Sequence, residues 1–362
     1  MRRRRFGQAF LTALWTCAAP HLARSQVTTV ESASVIVFSR VVVDGTWDTT
    51  IQIGNDASRP AYAHCYYANG APADPSQPPG PTNPPLWTLI DFPISLVPLQ
   101  PTHWVASRGR LVDPADTTCS RSVSDCDGAG YDPGPVPPLP QGFTGELRCI
   151  EEDASGAPWS GNALHGVATL THLATGAVVK YPAVGLPGYQ SNNADGTLCI
   201  GGGTRPGCAQ GAEYGGCPQS WIISHPSEAD DRPIDGGAQS TDVTVVPCAT
   251  DFTTQVPASL TLQFALTNEF EQTFTASTAI TCWADLRLSD VSPIFLRDNL
   301  GGDWVHTSVR AANSTPGGFM LVQQTERDTA EPATSSFTGA VPPHAGVDPS
   351  GALVVLPAEV LQ

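Results

Sequence analysis

One pattern occurs twice in this chain, and it constrains the fold more than any other feature. The first copy runs TTIQIGN (49–55), then Cys65-Tyr66, then GFTGELRCI (142–150). The second runs SLTLQFALTN (259–268), then Cys282-Trp283, then GGFMLVQQ (317–324). In each copy an alternating apolar stretch ends in Asn (Asn55, Asn268), a second stretch carries Cys before an aromatic residue, and a third opens on Gly-Phe and alternates again. Alternation with period two marks half-buried β-strands, and its recurrence implies two sandwich modules in tandem. No helical periodicity lasts more than a few residues. The expected class is all-β.

Between the strands lie loops that cannot join a ladder. APADPSQPPGPTNPP (71–85) is too rich in proline, and 111–141 is rich in Asp, Gly, Pro and Cys. The 34 Gly and 34 Pro of the chain supply these turns.

The N-terminus reads as a targeting segment. Arg2 to Arg5 form a charged region, Ala9 to Pro20 are mostly apolar, and Ala23-Arg24-Ser25 places small residues before a cleavage point at Gln26. That is the pattern of a secretory signal peptide over 1–25. Lipid attachment at Cys17 is the rival reading, disfavoured because Leu14-Trp15-Thr16 is bulky where small residues are needed. The remaining chain divides into module one (26–200), a Gly/Cys-rich connection (201–240) and module two (241–362). No later stretch approaches the ~18 apolar residues of a membrane span.

Removing 1–25 takes five of the 18 basic residues and none of the 34 acidic ones, so the net charge falls from −16 to −21. Such a chain repels nucleic acid and anionic lipid. The implied partners are a cell-surface protein or a polysaccharide.

Nine of the ten cysteines lie beyond Cys17, which in an exported chain points to disulfides. Spacing suggests Cys119 with Cys126, Cys208 with Cys217, Cys65 with Cys149 and Cys248 with Cys282, leaving Cys199 over. Connectivity is not fixed by spacing. Zinc is disfavoured, because no CxxC pair exists and His64 and Cys65 point to opposite faces of a strand.

Chemistry-bearing clusters are sparse. No Gly-x-Ser-x-Gly turn is present. Glu151, Glu152 and Asp153, and Glu269 with Glu271, are carboxylate groups of the kind glycosidases use, but they lie at strand ends and turns where charge is ordinarily solvated. Asp125, Asp127 and Asp132 in SDCDGAGYDPG offer hard oxygen ligands to Ca²⁺ but lack a full calcium-loop pattern. Trp87, Trp104, Trp159, Trp221 and Trp304 could form a sugar-stacking platform, although tryptophan in a sandwich is more often core. His165 and His172, seven apart, face opposite sides of their strand. No catalytic set is assigned.

The run TTIQIGN…HCYY…QPTHWVASRG…GFTGELRCIEEDASGAP…SGNALHGVATL resembles a group of exported bacterial proteins built from immunoglobulin-like sandwiches. Module one carries most of the match. The resemblance implies two tandem immunoglobulin-like β-sandwich modules with long Pro/Gly-rich loops, and location outside the bacterial cytoplasm: secreted, at the cell exterior, or in the periplasm. It implies no chemistry. A structural or adhesive role follows, with carbohydrate binding or glycoside hydrolysis as the alternative.

Overall fold

The computed structural model describes residues 27–77, 82–110, 132–190, 195–201, 208, 212–229, 238–254, 259–312, 318–328, 336–337 and 352–357. The first half forms β1 (Val35–Val43), β2 (Trp47–Asn55), β3 (Ala61–Asn69), β4 (Leu89–Leu96), β5 (Pro101–Val105), β6 (Phe143–Glu152), β7 (Leu164–His172), β8 (Val178–Pro182) and β9 (Val184–Leu186). The second half forms β10 (Thr197–Ile200), β11 (Ser220–Pro226), β12 (Ala238–Pro247), β13 (Thr250–Asp251), β14 (Ser259–Asn268), β15 (Thr273–Thr281), β16 (Ala284–Arg287), β17 (Trp304–Ala312), β18 (Phe319–Asp328), β19 (Ser336–Phe337) and β20 (Ala352–Val355). Three single-turn helices fall between Leu288 and Leu300.

In the first half, β4-β3-β6-β1-β9 face β5-β2-β7-β8. Among the named strands, the two groups are hydrogen-bonded to each other only where β1 turns into β2, at Val43 opposite Asp48. Alternate side chains from both fill one core, including Ile36, Phe38, Cys65, Leu147, Ile51 and Leu170. The run AVVKYPAVGL, which reads as one strand, changes sheets: Pro182 ends β8 on β7, and Val184 begins β9 on β1.

In the second half, β11-β17-β14-β15 face β16-β12-β18-β19. Trp221, Leu262, Phe264, Val243 and Leu321 lie between them. A small sheet, β10-β20-β13, ties residues 197–200 to the C-terminal region. Ser220–Pro226, which falls within the expected connection, is an integral edge strand paired with β17.

The halves are not beads on a string. One continuous core joins Val35, Val37, Tyr66 and Ile150 of the first half to Phe252, Val246 and Met320 of the second. Val322 of β18 reaches into the other core. The result is a stack of four β layers, whose two middle layers are covered on both faces. This explains why β6 and the C-terminal halves of β3 and β12 are buried almost without alternation. The fold is therefore all-β and sandwich-like, with the halves sharing their interior.

A bulge locks the stack. The β1–β6 register shifts between Phe38 and Val41, and the extra residues turn toward the second half. The Ser39 carbonyl accepts from Trp283 Nε1 at 2.8 Å. Arg40 meets Asp285 at 2.8 Å and also donates to Gln324.

Three disulfides are described. Cys65 and Cys149 sit directly opposite each other on β3 and β6, with Cα atoms 4.0 Å apart, as expected of that pair. The other expected pairings change. Cys199 bonds Cys208, and Cys217 bonds Cys248. Cys199 is therefore not left over, and Cys208 does not clip to Cys217. The reason is topological: β10 brings Cys199 beside Cys208, while Cys217 precedes β11 and meets the end of β12. Cys282 is buried and not joined to Cys248; its backbone takes φ 59°, and there the run TASTAITCWADLRL (275–288), whose composition reads as one strand, divides between β15 and β16 on different sheets. Cys119 and Cys126 lie outside the described residues.

Candidate functional site

Strand β6 reads GFTGELRCIEED, an apolar face alternating with a charged one. Phe143, Leu147 and Cys149 enter the first core. Glu146, Arg148, Ile150 and Glu152 share the opposite face, which an isolated sandwich would give to water. Here the second half covers it, and Glu146, Arg148 and Glu152 are 0, 1 and 7 % exposed.

Each charge finds a distinct solution. Arg148 Nη2 lies 3.1 Å from Glu146 Oε2, and Nη1 donates to the Cys248 carbonyl at 3.0 Å. The guanidinium also rests over the Phe252 ring, 5.7 Å from its centroid. Burial pushes the Glu146 carboxyl up, and Arg148 pulls it back. Phe252 continues into an aromatic stack: Tyr66 lies 4.7 Å from it, and His64 lies 4.8 Å beyond.

At the rim of this stack stands the most perturbed carboxyl. Burial, with Asp153 adding to it, pushes Glu152 up to about 8, which favours its protonated form near neutral pH. His64 Nδ1 is 3.8 Å from Glu152 Oε1, and His64 Nε2 is 2.8 Å from Asp91 Oδ2. Among the described residues, Glu152 Oε1 and the Tyr66 hydroxyl find no hydrogen-bond partner. Burial, then Glu152, then Asp91 hold the Tyr66 phenol well above its ordinary value. At the outer end of the cluster the Asp91 side chain is half exposed. The depressions lined by Gln263 and Arg310, by Glu228 and Arg297, and by Gln52 and His165 lie elsewhere.

The adjacent Glu151 points the other way. It is fully buried, accepts from Arg59 Nη2 at 2.6 Å and from the Ala163 N–H at 3.2 Å, and is pushed up by burial against those bonds. The expectation that Glu151 and Glu152 are solvated is thus corrected. Being sequence neighbours on a strand, they face opposite layers and do not converge across a cleft. Glu269 and Glu271 stay at an exposed turn, where Glu269 accepts from the Asp303 N–H.

The remaining sequence candidates disperse. Asp125 and Asp127 lie outside the described residues, and Asp132 is held by Arg110 at 2.6 Å. Among the described residues no group of three His, Cys, Asp or Glu is placed to hold a metal. Trp87, Trp104 and Trp221 are core residues, whereas Trp159 and Trp304 are exposed, so the five share no platform. Sequence reasoning missed Glu146, Arg148 and the Ser39–Arg40 bulge. The signal available was a run of charge on one face of a strand whose other face is apolar, which reads as a solvated surface.

The outer face of β14, β15 and β17 carries a shallow open depression. It measures about 440 Å³ and is lined by Gln263, Thr275, Ser277, Ser308 and Arg310 among others. Trp304 stands exposed on the same face at the start of β17. The sheet β11-β17-β14-β15 carries no Asp or Glu.

No helix among the described residues is long and apolar enough to cross a membrane. No protein-family model matches the chain, and no curated protein matches it.

Proposed function

We propose that this chain is an exported structural or adhesive protein of the bacterial cell exterior, acting through its surfaces and not through catalysis. The observation that carries this reading is where its buried charges go. Arg148, paired with Glu146 beside it, and Arg40 bond the first half to the second, and Glu151 is paired with Arg59 within the first half. Disulfides within each half suit an oxidising compartment. The immunoglobulin-like character of the two halves and the signal peptide over 1–25 belong to the same proposal.

The test is localisation followed by deletion. Intact cells should bind antibody against the folded chain, and a deletion strain should lose attachment or envelope integrity. A deletion strain that keeps both, alongside purified protein that turns over a glycan, overturns the reading.

One observation favours the carbohydrate-binding alternative: the carboxylate-free face with exposed Trp304, Gln263 and Arg310. Aromatic stacking beside convergent polar groups suits a sugar chain. Retardation in polysaccharide-containing gels that is lost in Trp304→Ala would support it.

A further inference from the structure

β15 is the edge of an outermost layer. It pairs with β14 over its whole length, from Thr273 opposite Thr267 to Thr281 opposite Ser259, without a register shift. Among the described residues no strand pairs with its other side. Soluble proteins blunt such edges with charge, proline or a bulge. TFTASTAIT has none of these, in a chain that carries 34 acidic residues.

The direction of the unpaired backbone groups can be derived. The Asn268 N–H donates to the Gln272 carbonyl at 3.1 Å, so these two form a hydrogen-bonded pair. Alternation along an antiparallel ladder then turns the N–H and C=O of Phe274, Ala276, Thr278 and Ile280 toward β14. Those of Thr273, Thr275, Ser277 and Ala279 turn outward. The ladder has a natural end, because the Thr281 carbonyl already accepts from the Trp283 N–H at 2.8 Å.

We propose that β15 is a self-association edge, at which two copies of this chain pair their β15 strands antiparallel about a two-fold axis at Ser277. In that register Ser277 lies opposite itself and Thr275 lies opposite Ala279, so every hydrogen-bonded pair joins outward-turned residues. The intervening pairs, whose side chains approach more closely, set Phe274 against Ile280 and Ala276 against Thr278 on the core-facing side. Phe274 is only partly buried in one copy and packs on the core; across the axis it meets Ile280 of the second copy. The strand is thus close to a palindrome in size and polarity: small uncharged residues meet at the centre, and Phe meets Ile at both ends. No charge opposes itself. This match argues for a second copy over an unrelated strand, and joins two four-stranded sheets into one. Self-association neither requires nor excludes the proposed adhesive role; a monomer would leave that role standing.

The test uses the purified exported chain, its Ser277→Pro, Ser277→Lys, Ser277→Cys and Thr273→Cys variants, and sedimentation velocity over a wide concentration range. Proline at 277 removes only an outward N–H, so it spares the β14 ladder. Lysine there sets two ammonium groups face to face and serves if the proline variant fails to fold. The chain should be dimeric, and either variant should weaken the dimer at least tenfold while keeping the thermal unfolding of the monomer. Facing Ser277→Cys residues should oxidise to a covalent dimer, because a hydrogen-bonded pair has Cα atoms ~5.5 Å apart, within disulfide reach. Thr273→Cys should not. A monomer at all concentrations, a dimer indifferent to Ser277→Pro and Ser277→Lys, or equal crosslinking by Thr273→Cys overturns the proposal.

Discussion

Trp283 lies flat on Gly70 and donates its indole N–H to the Ser39 carbonyl at 2.8 Å. The two halves are docked by this contact. Gly70 leaves the room: a Cβ there would stand 2.6 Å from the Trp283 ring. Gly70→Ala should therefore displace the indole, and Trp283→Ala should leave a cavity. The alanine replacement of Trp283 should cost about 3–5 kcal/mol in urea unfolding. The two substitutions together should cost less than their sum, since both act on one contact.

Arg148 and Glu146 make a second test of the same layer. Arg148→Met leaves a buried carboxylate unpaired and should destabilise by roughly 3–5 kcal/mol. Adding Glu146→Leu should recover most of that loss, because an apolar pair of similar volume removes the desolvation cost of both charges. Equal loss in the single and double variants would show that packing, not charge, is at stake there.

Glu152 predicts a pH dependence whose sign is fixed. Its folded pKa of about 8 lies above the ordinary 4.5, so between these values the folded chain holds a proton that the unfolded chain releases. Stability from this group is fully present below pH 4.5, falls as pH rises toward 8, and is then flat, with a slope of up to about 1.4 kcal/mol per pH unit. His64, Asp91, Asp153 and Tyr66 are the titratable groups around it. His225 acts in the opposite sense. Burial lowers it from 6.5 to about 4, so its contribution rises with pH over that window. The region from pH 6.5 to 8 isolates Glu152 from His225. There Glu152→Gln should flatten the decline in unfolding free energy; an unchanged slope counts against a protonated Glu152.

Cys65 and Cys149 are 84 residues apart in sequence. Replacing both with alanine should cost about 4.5 kcal/mol by chain entropy for a loop of this size. Peptide mapping without reduction should recover Cys65–Cys149, Cys199–Cys208 and Cys217–Cys248. A Cys208–Cys217 or Cys248–Cys282 peptide would contradict the placement of β10 and β11.

The strands were legible because period two survives wherever one face meets water. β14 is the clear case, buried at Leu260, Leu262, Phe264 and Leu266 with polar residues between. Asn55 and Asn268 were also readable. Each accepts the N–H two residues on, from Ala57 and Phe270, and each donates to a carbonyl before the next paired strand, Val97 and Leu300. Yet β14 and β15 form a paired hairpin, whereas β2 and β3 lie in facing sheets. Local chemistry repeats where topology does not. The layer between the halves was hidden for a physical reason. Glu146, Arg148 and Glu152 look like a wet face, and only the carbonyls of Pro247 and Cys248, a hundred residues away, reveal what covers them. Disulfide partners failed likewise, since they follow strand order and not spacing.

The central claim is that both halves share one interior. Calorimetric unfolding of the purified chain, with disulfides intact, is the decisive test. A shared interior should give one transition whose calorimetric and van't Hoff enthalpies agree, shifted as a whole by Trp283→Ala. Two separable transitions, with Trp283→Ala leaving the transition of residues 27–190 where it was, would contradict it.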